Sequence, residues 1–290
     1  MGQLATRSSV QGFVRGLPYA LAPVAIVASL AIQAAAQGSL LANVEICNSA
    51  SGVAVDARIA ACTAIIDSGA GSSDAISIAY NNRGIARTQK GEYDLAIKDY
   101  GQAIDLDPTS LRPLTNRGIA YQRKADYDRA IADFTSAINI DPSSAIAIAY
   151  RAATYEKKGD YPRALSDFDE AIRLKPTLGS LWNERCWIRA ITGALQDALA
   201  DCNQAIRLGP NVAARRDSRG LVHLKLGQWD AAIADYSAAL SLAPKLASSL
   251  YGRGMAKMKS GDLAGGNADI TAAAAADPNV AQQFARYGVR

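Results

Sequence analysis

Two sets of residues in this chain recur at spacings that could do chemistry. Cys47, Cys62, Cys186 and Cys202 make an even number, which in an exported chain favours disulfides. A metal site would instead need CxxC-like pairs or accompanying histidines, and His223 is the only histidine. The second set is charged. Arg83, Arg117, Arg151, Arg185, Arg219 and Arg253 recur every 34 residues, and Asp99, Asp133, Asp167, Asp201, Asp235 and Asp269 follow at the same interval. One reading is an arginine ladder for an anionic ligand. The other, which we favour, is a structural Arg–Asp bridge, to which the planar guanidinium fork is suited. Catalysis has no constellation: GxSxG, a phosphate loop and HExxH are all missing. The sequence reads as a non-enzyme with no cofactor and no metal.

The period that carries these residues is set by proline. Pro108, Pro142, Pro176, Pro210, Pro244 and Pro278 are each 34 residues apart, and taking them as position 32 starts the units at Ser77, Leu111, Ala145, Gly179, Ala213 and Ala247. Position 8 is small (Gly84, Gly118, Ala152, Cys186, Gly220, Gly254), and position 20 is Ala in five units and Gly266 in the sixth. Position 24 is large except at Cys202 and Ile270, and position 27 is always Ala. Gly or Asp near positions 15–16 breaks each unit into two helices, and the proline ends the second. One helix pair cannot cover its own apolar faces, so neighbours must stack.

This pattern resembles the tetratricopeptide repeat (TPR) family over all six units, Ser77 to about Val280. The resemblance implies an all-α, right-handed superhelical solenoid of helix-turn-helix repeats that binds a peptide or protein in the groove lined by each unit's first helix. Carried over, the groove positions are Asn81, Asn82, Ile85, Thr115, Asn116, Ile119, Tyr150, Asn183, Glu184, Trp187, Leu221, Tyr251, Met255 and Met258. Amides lead in the first two units, and Trp187, Leu221, Met255 and Met258 make the later part an apolar strip. A terminal-carboxylate clamp of Lys and Arg is not visible there. Positions 7 and 23 fall at the height where 8 meets 24, so Arg and Asp should face each other. Cys186 and Cys202 occupy 8 and 24, which pairs them, and Cys47 and Cys62 are similarly spaced. Position 11 departs from the family's apolar habit at Arg87, Arg189, His223 and Lys257. The Ala- and Gly-rich last unit is expected to be the least tightly packed.

The first 36 residues read as a secretory signal: Arg7 and Arg15, an apolar middle from Leu17, and Ala34-Ala35-Ala36 before a cut at Gln37. An uncleaved anchor is the alternative, but Pro18, Pro23 and Gln33 shorten the clean run to Val24–Ile32. Residues 37–76 are expected as a helical cap and linker, with a helix near Asp56–Asp67 and a flexible stretch at Ser68–Ser73, and 281–290 as a C-terminal cap. The domain units are then 77–110, 111–144, 145–178, 179–212, 213–246 and 247–280. A net charge of +4 with no Lys/Arg-rich stretch gives no nucleic-acid footprint. The resulting expectation is a periplasmic or secreted scaffold for a protein partner, touching the membrane only through its leader. A binder of an envelope glycan is the alternative, disfavoured by scarce groove aromatics.

Overall fold

The computed structural model describes residues 38–49 and 51–289, so the leader expected over residues 1–36 and its cut site at Gln37 lie outside the described residues. Among the described residues every regular element is a helix, and none is long and apolar enough to cross a membrane. Helix α1 covers residues 38–48 and α2 Val55–Ser68. Six pairs follow: α3 (Ser73–Gln89) with α4 (Tyr93–Leu106), α5 (Leu111–Arg123) with α6 (Tyr127–Ile140), α7 (Ala145–Lys157) with α8 (Tyr161–Leu174), α9 (Gly179–Thr192) with α10 (Leu195–Arg207), α11 (Ala213–Lys225) with α12 (Trp229–Leu242), and α13 (Ala247–Ser260) with α14 (Leu263–Ala276). The chain closes on α15 (Val280–Arg286). Each helix packs on the next, and the pairs stack into an all-α right-handed solenoid.

Local chemistry explains the breaks. Position 15 takes a left-handed backbone in every unit, and glycine supplies it at Gly91, Gly159, Gly193, Gly227 and Gly261. In unit two Ala125 adopts the same conformation, φ 59°, against its own preference. The second helix then starts at an acceptor where one is present: Asp126, Asp160 and Asp262 take the N–H of Arg129, Arg163 and Gly265. It ends before proline, whose ring pushes the preceding residue into extended space, as at Asp107 (φ −139°) and Asp141 (φ −132°).

Inside each unit, positions 8 and 24 set how closely the helices approach. A Cβ added to Gly118 would stand 2.7 Å from the Phe134 ring. Ala152 against Phe168 meets the same need in unit three, and a Cys186–Cys202 bridge replaces the small–aromatic pair in unit four. The first unit differs from its expected outline, because α3 begins at Ser73, capped by Ser72, whose hydroxyl accepts from the Ala75 N–H. Residues 69–72 form the link between the helices, so of the stretch expected to be flexible only its end residues, Ser68 and Ser73, are drawn into helix. The last unit is a second correction. Its small side chains let α13 and α14 approach closely, and a Cβ on Gly266 would lie 2.8 Å from the Gly254 carbonyl oxygen.

Candidate functional site

Each position-7 guanidinium grips the position-23 carboxylate of its own unit with Nε and Nη2. The bonds of Arg83–Asp99, Arg117–Asp133, Arg151–Asp167, Arg185–Asp201, Arg219–Asp235 and Arg253–Asp269 span 2.6–3.0 Å. All six aspartates are buried. The third nitrogen, Nη1, reaches back to the preceding second helix. It meets Thr63 at 3.0 Å, Thr135 at 3.2 Å, Asp169 at 2.6 Å, Asn203 at 2.8 Å and Ser237 at 3.4 Å. In unit two Gly101 stands in that place and offers no acceptor side chain to Arg117. Each arginine therefore closes its own helix pair, and in every unit but the second it also ties that pair to the one before. The bond to Asp133 raises the pKa of Arg117 above its usual value, and that to Asp167 does the same for Arg151.

Position 11 adds a second partner to the carboxylate. Arg87 meets Asp99 and Arg189 meets Asp201, both at 2.7 Å, Lys257 meets Asp269 at 2.9 Å, and His223 stands 3.6 Å from Asp235. Where position 11 is Tyr121 or Tyr155, the ring instead carries Arg129 or Arg163 at 4.5 and 4.8 Å. The residues that break the family's apolar habit at this position extend the charge ladder.

The cysteines pair as Cys47–Cys62 and Cys186–Cys202, with Cα atoms 4.9 and 5.4 Å apart. Cys47 and Cys62 bridge α1 to α2 as Cys186 and Cys202 bridge α9 to α10, and Thr63, one residue after Cys62, serves Arg83 as Asn203 serves Arg219. The N-terminal cap is thus a degenerate seventh helix pair.

First helices of successive units touch one another, whereas among the described residues second helices do not, so the stack curves toward its first helices. On this inner face the side chains of Asn48, Asn82, Asn81 and Asn116 form a chain of amides, with bonds of 2.8 Å from Asn82 to Asn48 and 2.9 Å from Asn116 to Asn81. It borders an open depression shared with Asp74, Ser110 and Arg112. Farther on, Ile146, Tyr150, Leu178 and Leu181 line an apolar depression with Glu184 at its edge. Tyr150 also stacks on Phe134, 5.7 Å between centroids.

Several expected groove residues are not on an open surface. Asn81 and Asn183 are buried, and Asn183 Oδ1 has no partner. Ile85 packs into the Tyr100 cluster, and the Thr115 hydroxyl is bonded to the Leu111 carbonyl. Leu221 belongs to the core, 2% exposed, and Met258 turns into its own helix pair against Gly266. Trp187, Tyr251 and Met255 do face inward, but the residues after Pro278 cover them. Tyr287 meets Trp187 edge-on at 4.8 Å, Phe284 lies on Tyr251 at 4.8 Å, and Val289 lines a shallow pocket with Met255. The apolar strip expected to be exposed is occupied by the chain itself.

Glu184 was expected on this face, but two more carboxylates and one lysine were missed from sequence, although Asp217 (position 5) and Glu156 (position 12) fall at groove positions of the repeat. Burial raises the Glu156 carboxyl above the usual range, partly opposed by Lys157 and the Trp187 indole. Burial and the Glu156 charge raise Glu184. Burial also raises Asp217, against the pull of the Ser249 and Ser248 hydroxyls, which donate to it at 2.5 and 3.0 Å. Lys225, its ammonium lowered by burial, donates to the Ala190 and Tyr287 carbonyls at 2.7 and 2.8 Å.

Comparison with known proteins agrees with this architecture. Models described as TPR repeat and tetratricopeptide repeat match residues 84–124 and 220–261, and 115–178 and 155–213. No curated protein sequence matches the chain. Among solved structures, a tetratricopeptide repeat protein from Parabacteroides merdae superposes with a TM-score of 0.64 at 16% identity, over 81% of this chain and 92% of that one. PilF of Pseudomonas aeruginosa gives 0.63 at 16% over 73% and 98%. YrrB, a TPR protein described as having an unusual peptide-binding site, gives 0.51 at 21% over 64% and 97%. The 34-residue period, the paired helices and the matched family models together make this chain a tetratricopeptide repeat protein.

Proposed function

We propose that the chain is a non-catalytic adaptor of the cell envelope that holds a protein partner as an extended peptide along the inner face of its first four units. The observation that carries this reading is the amide chain from Asn48 to Asn116 lying along the same face as the apolar depression at Ile146, Tyr150 and Leu178. Amides can meet the N–H and C=O groups of an extended backbone, and the depression can take an apolar side chain. The described peptide-binding site of YrrB, which shares the fold, is consistent with it. Envelope residence is supported by the basic and apolar leader sequence and by the two disulfides, which suit an oxidising compartment. A protein partner is favoured over a glycan because the aromatic rings of Tyr150 and Trp187 already rest on Phe134 and Tyr287.

The test is affinity capture from an envelope extract, with native protein beside an Asn82→Ala/Asn116→Ala variant and a Tyr150→Ala variant. A partner that both variants lose while their melting is unchanged supports the reading. A partner retained by both variants overturns it.

A further inference from the structure

The residues after Pro278 do not continue the stack. A regular cap would lie one unit beyond α13 and touch the last unit alone. Instead α15 is seven residues long, and the chain carries Tyr287 across the inner face to Trp187 of unit four. Phe284, one helical turn earlier, sits on Tyr251 and is 3% exposed. Lys225 of unit five binds the Tyr287 carbonyl at 2.8 Å. These are the contacts of a bound peptide: two aromatic side chains on one helical face, each on an aromatic of the groove, and a main-chain carbonyl held by a lysine. A helix this short has little stability of its own, so these contacts, together with the burial of Val280 at its start, are what keep it in place.

We infer that residues 280–289 are a resident ligand of the inner face over units four to six, and that this stretch receives a partner helix bearing two aromatic side chains three residues apart, which displaces them. The inference rests on the inner face being the binding surface proposed above, but it concerns a different stretch of that face. The depression beside the amide chain and the one at Ile146 are open, whereas the Trp187–Tyr251 stretch is closed until the segment leaves.

The experiment adds a fluorescent peptide of residues 279–289 to the full chain and to a full-chain Phe284→Ala/Tyr287→Ala variant. Apparent affinity falls by the fraction of sites that are free, so the peptide should bind the variant on the order of tenfold more tightly than the native chain. A peptide with both aromatics replaced by Ala should bind neither. Equal binding to both chains, or no binding to a variant that still melts cooperatively, overturns the inference. Hydrogen exchange on the native chain covers the case of a variant that fails to fold. Amides of 280–289 should exchange far faster than those of α13, because a displaceable segment opens without global unfolding. Exchange at the same rate as α13 would mark a fixed cap and overturn the inference. Neither measurement depends on Asn82, Asn116 or Tyr150, so this inference and the reading of the open face fail separately.

Discussion

Arg151 holds Asp167 through two parallel bonds of 2.8 and 2.9 Å and turns its remaining nitrogen to Thr135 of the preceding unit. A single side chain thereby closes one helix pair and joins it to its neighbour, and the arrangement recurs along the stack. Asp167→Ala should destabilise the protein by about 2–3 kcal/mol, since it strands a largely buried guanidinium. Thr135→Ala removes only the link between units and should cost about 1 kcal/mol. Denaturant unfolding monitored by circular dichroism checks both. An Asp167→Ala protein as stable as the native one would remove the ladder from the account of stability.

Ala125 offers a gain. It holds the left-handed turn that glycine makes in the other five units. Ala125→Gly relieves that strain, offset in part by the greater freedom of glycine in the unfolded chain, and should stabilise by about 0.5–1 kcal/mol. A lower unfolding midpoint for the variant would contradict the assigned strain.

The bridges and the leader make one joint prediction. Peptide mapping without reductant should recover Cys47 linked to Cys62 and Cys186 linked to Cys202, and each bridge should contribute roughly 3 kcal/mol on a chain-entropy model. Residues 1–40, fused to a reporter active only outside the cytoplasm, should give signal, and the mature protein should begin at or near Gln37. Free thiols in protein taken from the envelope would refute the pairing. Replacing Cys186 and Cys202 by Gly and Tyr, the small–aromatic pair that unit five carries as Gly220 and Tyr236, should restore much of the lost stability.

Asp217 predicts a dependence on pH. Burial raises its carboxyl in the folded state, so the folded protein holds this proton more tightly than the unfolded chain does. Below the usual carboxylate range both states are protonated and the burial penalty is absent. The penalty grows as pH rises through the window between the usual and the raised value, and persists at neutral pH. Asp217→Asn keeps an acceptor for Ser249 and should therefore be more stable than the native chain at pH 7, with the difference shrinking toward pH 4. An unchanged difference across that range would show that Asp217 is not desolvated in the folded protein.

What the sequence by itself determined is whatever recurs every 34 residues. Helix pairing, the small–large contact of Gly118 with Phe134, the Arg–Asp bridges and the Cys186–Cys202 bridge are all relations inside one unit, and repetition makes them legible. Position 15 was half legible: five glycines announce the turn, but Ala125 shows its conformation only in the fold, because tertiary packing overrides its local preference. The ties from Arg151 to Thr135 and from Arg219 to Asn203 were hidden because position 25 is Gly, Thr, Asp, Asn or Ser and shares no single residue type. The inner face was legible only as a set of positions. Burial of Asn183 and Leu221 depends on how closely neighbouring first helices approach, which a linear period does not state. The contact of Trp187 with Tyr287 joins residues a hundred positions apart and belongs to no repeat. It exists because the chain after Pro278 turns inward across three units, and only the three-dimensional curvature of the stack brings those rings together.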